Sequence, residues 1–356
     1  MSYSKIIANV EGIELTQEDR EFLSQKELAG IILFSRNYEN RQQLKRLIKD
    51  IKQINAELLI CVDQEGGRVQ RLTNGFTSLP PLATFGQLFE ENADEALKTA
   101  RRAGWLLAVE LLAAEVDFSF APVVDIDFDT SSIIGNRAFS DSAFAVTQLA
   151  AALVQGMQSA GMKCCAKHFP GHGGIAEDSH LSRATDDRSY QTLLERDLLP
   201  YREITNAYDS VMTAHISYPK VDSNIATYSK IWLQKILRKE LKFKGCIFSD
   251  DLTMAGAALA QENEPNYYDR SIKSLEAGCD ALIVCNDRSA AIASCKAVSD
   301  YVESRDSAFR NSQSYRGSVN VGSAMRAKRY HRLTDLVSSP VYKVAKESVL
   351  AIQAAS

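Results

Sequence analysis

Short runs of apolar residues recur along this chain, and each is followed by a longer segment with the apolar spacing of a helix. This alternation predicts repeated strand–helix units around a buried parallel sheet. The eight predicted strands are residues 6–10, 30–34, 58–62, 116–120, 163–166, 210–214, 246–249 and 281–285. The predicted helices between and after them include residues 41–54, 94–114, 143–160, 230–240, 267–277 and 288–302.

Eight strands of this kind favour a (β/α)8 barrel of the TIM type over a doubly wound sheet. No linker rich in Pro, Gly or Ser divides the chain, so we expect residues 1–356 to form a single catalytic domain. The least regular part is 305–340, which is polar and predicted to be an irregular excursion of unknown role. Its basic cluster is interpreted as a solvated helix face.

Composition narrows the classes of function. Hydrophobic residues make up 45% of the chain, and the formal net charge of -4 gives no basic surface for nucleic acid. The first residues lack the apolar core of a signal peptide, and no apolar stretch is long enough to span a bilayer. Seven cysteines without a C-x-x-C pair are expected to be buried free thiols in a reducing compartment. We therefore expect a soluble cytoplasmic protein that acts on small molecules or soluble polymers.

Charged or titratable residues follow most of the central strands. In a (β/α)8 barrel the active site lies where the strands end, so these side chains should converge. They are Asp63, Arg137, Lys167, His168, His215 and Asp250. Asp63 opens the stretch Asp-Gln-Glu-Gly-Gly-Arg-Val-Gln-Arg, whose acids and arginines, Arg71 included, suit hydrogen bonding to sugar hydroxyls.

Residues that could take part in catalysis are most concentrated between Lys167 and His180, a segment that holds three of the five histidines. His168 and His172 have the spacing of helix-borne zinc ligands, but the Pro and Gly residues around them disfavour a helix. Asp178 and His180 are separated by one residue, so an extended backbone lets the carboxylate orient the imidazole as a base near neutral pH.

Asp250 and Asp251 end another predicted strand, and adjacent side chains there point in roughly opposite directions. One acid can face the mouth of the barrel, and the other can cap the following turn. Spacing alone does not decide which acid does which.

In combination, the motifs Lys-His-Phe-Pro-Gly-His-Gly from Lys167, Asp-Ser-His from Asp178 and Ser-Asp-Asp-Leu around Asp250 resemble glycoside hydrolase family 3. The stretches that contain Asp63 and Arg137 support this. The nearest likeness is to the single-domain bacterial β-N-acetylhexosaminidases of peptidoglycan recycling. It covers roughly residues 5 to 300 in motif order and does not extend to residues 305–340.

This resemblance implies a barrel enzyme that releases terminal β-linked N-acetylglucosamine (GlcNAc) with retention, through a covalent glycosyl-enzyme. The implied substrate is a muropeptide fragment, GlcNAc-1,6-anhydro-MurNAc with or without peptide. It also implies no metal or organic cofactor. From the charge and the hydropathy we expect no nucleic-acid or membrane partner, and we expect a monomer. The implied nucleophile is Asp250, with Asp251 as the alternative, and the acid/base is His180 with Asp178 as its partner. The implied sugar-binding residues are Asp63, Arg71, Arg137, Lys167 and His168.

Two other functions remain open from the residues. A metal-dependent hydrolase would use His168, His172, Asp178 and His180 as ligands. A sugar-binding barrel without turnover is the other, although pure binding requires neither the acid at 250 nor the Asp-x-His pair.

Overall fold

The computed structural model describes residues 3–175, 184–259, 262, 264–309 and 320–355. A sheet of eight strands, parallel at every pairing, occupies its centre. The strands are β1 (Ile6–Ala8), β2 (Leu28–Leu33), β3 (Leu59–Val62), β4 (Phe118–Ser119), β5 (Cys165–Phe169), β6 (Ser210–Thr213), β7 (Cys246–Asp251) and β8 (Ala281–Ile283). Each overlaps one predicted apolar run, so all eight predicted strands are confirmed.

The sheet closes on itself. Its hydrogen-bonded order runs from β4 through β3, β2, β1, β8, β7 and β6 to β5. Parallel bridges between Phe118 and Lys163 and between Val123 and Lys167 then join β4 to β5, supported by a 2.8 Å hydrogen bond from the Val124 N–H to the Lys167 carbonyl. The predicted (β/α)8 barrel is confirmed.

Helices follow the strands and cover the outside of the barrel, because the apolar strands must be buried on their outer face as well as their inner one. Within the described residues the α-helices are α1 (Gln17–Phe22), α2 (Arg41–Ile54), α3 (Leu82–Glu91), α4 (Ala93–Leu112), α5 (Ala143–Ala160), α6 (Tyr190–Glu195), α7 (Leu199–Ile204), α8 (Tyr267–Ala277), α9 (Arg288–Phe309), α10 (Val321–Met325), α11 (Leu333–Ser338) and α12 (Pro340–Ala355). A π-helix, Ile231–Glu240, connects β6 to β7. None of the helices in these residues combines the length and apolarity needed to cross a membrane.

Aromatic rings fill the inside of the barrel. Phe118 and Phe120 of the β4 region meet Phe248 of β7, with ring centroids 5.0 to 6.0 Å apart. All seven cysteines are buried and free, as predicted. This packed interior leaves polar side chains to gather at the carboxyl ends of the strands.

Two boundaries differ from the prediction in ways that affect the site. β5 extends through Phe169, so Lys167 and His168 lie within the strand rather than after it. β7 likewise runs through Asp251. The segment 305–340 contains, in its described part, the end of α9 and the short helices α10 and α11.

Candidate active site

A cavity of about 410 Å³ opens at the carboxyl ends of the barrel strands. Its wall includes residues that follow β2, β3, β7 and β8, and side chains within β5. Six of the eight residues predicted from the sequence to form the site line this one cavity. They are Asp63, Arg71, Arg137, Lys167, His168 and Asp250.

Lys167 lies at the centre of a buried ion-pair cluster. Its Nζ is 2.8 Å from Asp63 Oδ1 and 2.5 Å from Glu65 Oε1, and the lysine is only 2% exposed. Burial alone would lower the pKa of Lys167, but the carboxylates of Asp63 and Glu65 outweigh this effect and leave it raised. The ammonium group is therefore charged and fixed in position at neutral pH.

Arg137 completes this cluster from the loop after β4. Its Nε and Nη2 donate to the two carboxylate oxygens of Glu65, each at 2.8 Å. This bidentate geometry fixes the guanidinium plane. Burial would raise the pKa of Glu65, but the charges of Arg137 and Lys167 outweigh it and hold the pKa well below its usual range.

A tight turn delivers two more arginines to the cavity. Gly66 and Gly67 both have positive φ, 113° and 55°, in the hairpin between the short strands Gln64–Gly66 and Val69–Gln70. A Cβ at Gly66 would lie 2.5 Å from a backbone carbonyl oxygen, so glycine is required there. Arg68 and Arg71 follow the turn, and the buried Nε of Arg71 has no hydrogen-bond partner in the described structure. That N–H can donate to a ligand.

A buried carboxylate orients His168. Asp125 Oδ2 lies 2.7 Å from His168 Nδ1, and Asp125 Oδ1 accepts the His172 backbone N–H at 2.8 Å. Burial would raise the pKa of Asp125, but His168 is the main group that outweighs this effect and lowers it. Because an ionised Asp125 only accepts hydrogen bonds, Nδ1 carries the proton and Nε2 is the nitrogen left for a ligand.

The two acids at the end of β7 have different surroundings. Asp251 Oδ1 accepts the N–H groups of Thr253 at 3.0 Å and Cys285 at 3.1 Å, so its carboxylate caps the local backbone. Burial raises the pKa of Asp251 to about 6. Asp250 Oδ1 accepts the N–H of its neighbour Asp251 at 2.8 Å, and both acids line the cavity.

Comparison with known proteins identifies the family. Residues 5–315 match the N-terminal domain of glycosyl hydrolase family 3. The chain belongs to glycosyl hydrolase family 3. This membership confirms the resemblance and the predicted enzyme class, a glycoside hydrolase.

Relatives of this family 3 chain cover most of its length. The protein named beta-hexosaminidase from Idiomarina loihiensis is 44% identical over 290 residues, which are 81% of this chain and 86% of that protein. The one from Hydrogenovibrio crunogenus is 48% identical over 288 residues, 80% of each. The crystal structure of NagZ from Neisseria gonorrhoeae in complex with N-trifluoroacetyl-D-glucosamine superposes with a TM-score of 0.85 at 37% identity, covering 98% of both chains.

Two predicted site residues of the family 3 chain, Asp178 and His180, lie outside the described residues. They are also half of the alternative metal-ligand set. Among the residues that the structure describes, no three His, Cys, Asp or Glu side chains are arranged to hold a metal ion.

His215, the remaining strand-end residue, has its ring nitrogens engaged away from the cavity. Nδ1 is 2.9 Å from Thr227 Oγ1, and Nε2 is 3.0 Å from the carbonyl oxygen of Asp251. Because a carbonyl only accepts, Nε2 carries the proton, and burial lowers the pKa of His215. This histidine supports the β7 backbone beside Asp250.

Two acids hold cavity-lining side chains in place, Glu65, which the sequence suggested only as one of the sugar-binding acids of its motif, and Asp125, to which sequence analysis assigned no role. Glu65 was visible as the second acid of the motif after β3. Asp125 follows the apolar stretch Val123-Val124, five residues beyond the predicted end of its strand at residue 120. An acid so close to a strand end was the feature of the sequence that could have indicated a place in the site.

Proposed function

We propose that this chain is an exo-acting β-N-acetylglucosaminidase that removes terminal β-linked GlcNAc with retention of configuration. The observation that carries the proposal is the placement of Asp250 in one small cavity with fixed donors and acceptors. Such a cavity suits a single sugar ring, whose hydroxyl groups both donate and accept hydrogen bonds.

The sugar would be held by the buried ion-pair cluster and its neighbours. Asp63 accepts hydrogen bonds from hydroxyls, and Lys167, with its Nζ fixed between two carboxylates, donates. Arg71 offers the N–H of its unpaired Nε, and Arg137 lies in a fixed plane. His168 offers Nε2, because Asp125 engages the other nitrogen.

The proposed reaction is a double displacement. In the first step a carboxylate oxygen of Asp250 bonds to the anomeric carbon, the glycosidic C–O bond breaks, and His180 gives its proton to the departing oxygen. In the second step His180 takes a proton from water, the water oxygen bonds to the anomeric carbon, and Asp250 is released as a carboxylate. Asp178 would stabilise the imidazolium form that His180 has before the first step and regains after the second.

Asp250 is favoured over Asp251 as the nucleophile by their hydrogen bonds. Two backbone N–H groups engage Asp251 Oδ1, and the carboxylate has its pKa raised by burial. An attacking carboxylate must be directed at the substrate, whereas these hydrogen bonds turn the Asp251 carboxylate toward the backbone at the ends of β7 and β8.

We propose peptidoglycan fragments as the substrates, with GlcNAc linked to 1,6-anhydro-MurNAc that carries a peptide or none. NagZ of N. gonorrhoeae, which this chain resembles over 98% of its length, was crystallised with N-trifluoroacetyl-D-glucosamine, a close analogue of the sugar to be removed. The fragment comes from the motif resemblance, and we also propose a cytoplasmic location and a monomer. We also propose that 1–356 act as one domain, with 305–340 having no assigned role.

Trapping the covalent intermediate tests the mechanism. Enzyme quenched during turnover of a fluorinated, slowly processed N-acetylglucosaminide should carry a glycosyl adduct on the peptide that contains Asp250 and Asp251. Asp251→Asn should still form the adduct, and Asp250→Asn should not. Product formation without an adduct on this peptide would exclude the covalent route.

Leaving-group dependence tests the acid role. Replacing His180 by Ala should slow substrates with poor leaving groups much more than activated aryl N-acetylglucosaminides, because only the former need protonation. Equal slowing of both would remove His180 from the acid role. Turnover that survives exhaustive chelation would exclude the metal-dependent alternative.

A further inference from the structure

Four lysine and arginine side chains of the described residues line the cavity, and they fall into three groups. Arg71 is partly buried and belongs to the proposed site of the terminal sugar. Lys167 and Arg137 are buried and paired with Asp63 and Glu65. Arg68 is exposed, lines the same cavity, and forms no ion pair with a carboxylate in the residues the structure describes. Arg68 therefore forms no direct ion pair within the described protein, and the carboxylate of Glu65, which already pairs with Arg137 and Lys167, acts on it only at longer range.

The loop after β4 holds Arg68 in a defined position. Its Nη2 donates to the Ser132 carbonyl oxygen at 3.3 Å and to that of Ile133. A guanidinium group carries five N–H donors in one plane. Those on Nε and Nη1 have no partner within the described part of the chain, so a pre-oriented edge of donors remains at the mouth.

The position of Arg68 indicates which part of a substrate it meets. Lys167 and His168, 2% and 6% exposed, lie deep in the cavity, where the terminal sugar would bind. The aglycone of an exo-acting enzyme extends past the mouth. GlcNAc is neutral, so an unpaired cation there gains from an anionic group on the aglycone, and a guanidinium matches a carboxylate best.

We propose that Arg68 is a specificity-determining residue that binds an anionic group, a carboxylate, on the aglycone. This inference rests on the proposed function, because it assumes that the cavity holds the terminal GlcNAc. A residue that only ties down the loop would affect all substrates alike. Recognition of the carboxylate affects only substrates that carry one.

A matched pair of substrates separates these roles. The disaccharide GlcNAc-β-1,4-MurNAc carries a carboxylate on its lactyl ether, and its methyl ester is neutral and nearly the same size. For the wild-type enzyme, kcat/KM for the acid should exceed that for the ester by about tenfold, a modest factor because the site is solvent-exposed. This preference should shrink as ionic strength rises, since salt screens exposed charges.

Substitutions at Arg68 then test the residue itself. Arg68→Met should lower kcat/KM for the acid about tenfold, with less than about a twofold change for the ester and for a neutral aryl N-acetylglucosaminide. Arg68→Lys should keep part of the preference, because it retains the charge without the planar donors. Arg46→Met, an exposed arginine on α2, removes the same charge elsewhere and should leave the preference intact.

Three outcomes overturn the inference alone: no acid preference in the wild-type enzyme, a preference retained by Arg68→Met, or equal losses on acid and ester. Thermal melting shows whether each variant is folded, and Arg68→Gln gives a second neutral replacement if Arg68→Met is not. If the wild-type protein hydrolyses none of the N-acetylglucosaminides, the proposed function fails, and this inference fails with it.

Discussion

Replacing Glu65 by Gln should destabilise the protein by about 3 kcal/mol at pH 7. Glu65 accepts two hydrogen bonds from Arg137 at 2.8 Å and lies 2.5 Å from Lys167 Nζ, with its side chain 1% exposed. Breaking a buried ion pair by removing one partner costs about 3–5 kcal/mol. The lower value applies because Gln keeps one acceptor oxygen and Asp63 still balances Lys167. The side-chain NH2 of the new Gln, however, would face an N–H donor of Arg137 or Lys167, with which it cannot form a hydrogen bond.

The expected shift in melting temperature follows from chain length. Unfolding entropy near 2.1 cal/mol/K per residue gives about 0.75 kcal/mol/K for 356 residues. A loss of about 3 kcal/mol then lowers the melting temperature by about 4 °C. Activity on an aryl N-acetylglucosaminide should fall at least about tenfold, because Lys167 and Arg137 lose the carboxylate that positions them.

The effect of pH has a definite sign. The pKa of Glu65 is lower in the folded protein than in the unfolded chain, where a Glu titrates near about 4.3. Its charge therefore stabilises the fold fully above that pH, and this contribution is lost as the pH falls toward the folded pKa. The difference in melting temperature between wild type and Glu65→Gln should be largest at pH 7 and shrink below about pH 4.

Circular dichroism melts of both proteins over this pH range measure the effect. The control is Glu203→Gln, which breaks a 3.0 Å ion pair with Arg202 in which both side chains are about half exposed. It should change stability by less than about 0.5 kcal/mol, because solvent screens the pair. If Glu65→Gln melts as close to wild type as this control does, the buried cluster does not have the energetic role assigned to it.

Three further changes have expected outcomes. Asp125→Asn should lower kcat/KM on an aryl N-acetylglucosaminide about tenfold or more while the protein remains folded, because His168 loses the carboxylate that fixes its tautomer. Asp251→Asn should raise the melting temperature at pH 8, because burial raises the pKa of Asp251 to about 6. Ionising this carboxyl in the folded protein therefore costs up to about 3 kcal/mol. Below about pH 4 the carboxyl is protonated, and the substitution should not change the melting temperature. Gly173→Ala should lower the melting temperature far more than Gly12→Ala, because its Cβ would lie 1.7 Å from a backbone carbonyl oxygen, whereas at Gly12 the nearest atom is 4.0 Å away.

The barrel was predictable because strands buried on both faces must be almost wholly apolar, and that pattern survives in a single sequence. The meeting of strand ends then followed from the fold class, which brought Asp63, Lys167 and Asp250 into one cavity. The exact end of β5 was not predictable. A charged Lys167 inside a strand is stable only because acids distant in sequence neutralise it, and a local pattern does not contain those partners.

Side-chain partners separate residues that look alike in sequence. His168 and His215 are both titratable groups at the ends of barrel strands, yet His168 pairs with Asp125 and lines the cavity, whereas His215 bonds to Thr227 and a β7 carbonyl. Local spacing does not specify which way each ring turns, because each ring is oriented by groups on other segments of the chain. For the same reason the sequence does not show that Asp251 Oδ1 accepts the backbone N–H groups of Thr253 and Cys285.

The charge that each side chain of the site can offer to a ligand depends on these partners, which are distant in sequence. A sequence shows that Arg68, Arg137 and Lys167 can meet at one end of the barrel, but not which of them retains charge for a ligand. Arg137 and Lys167 form ion pairs with Glu65 and Asp63, so we expect them to act on a substrate mainly as fixed hydrogen-bond donors. Arg68 forms no such ion pair among the described residues and, unlike the partly buried Arg71, is exposed, so we propose it as the cation that distinguishes an anionic substrate from a neutral one.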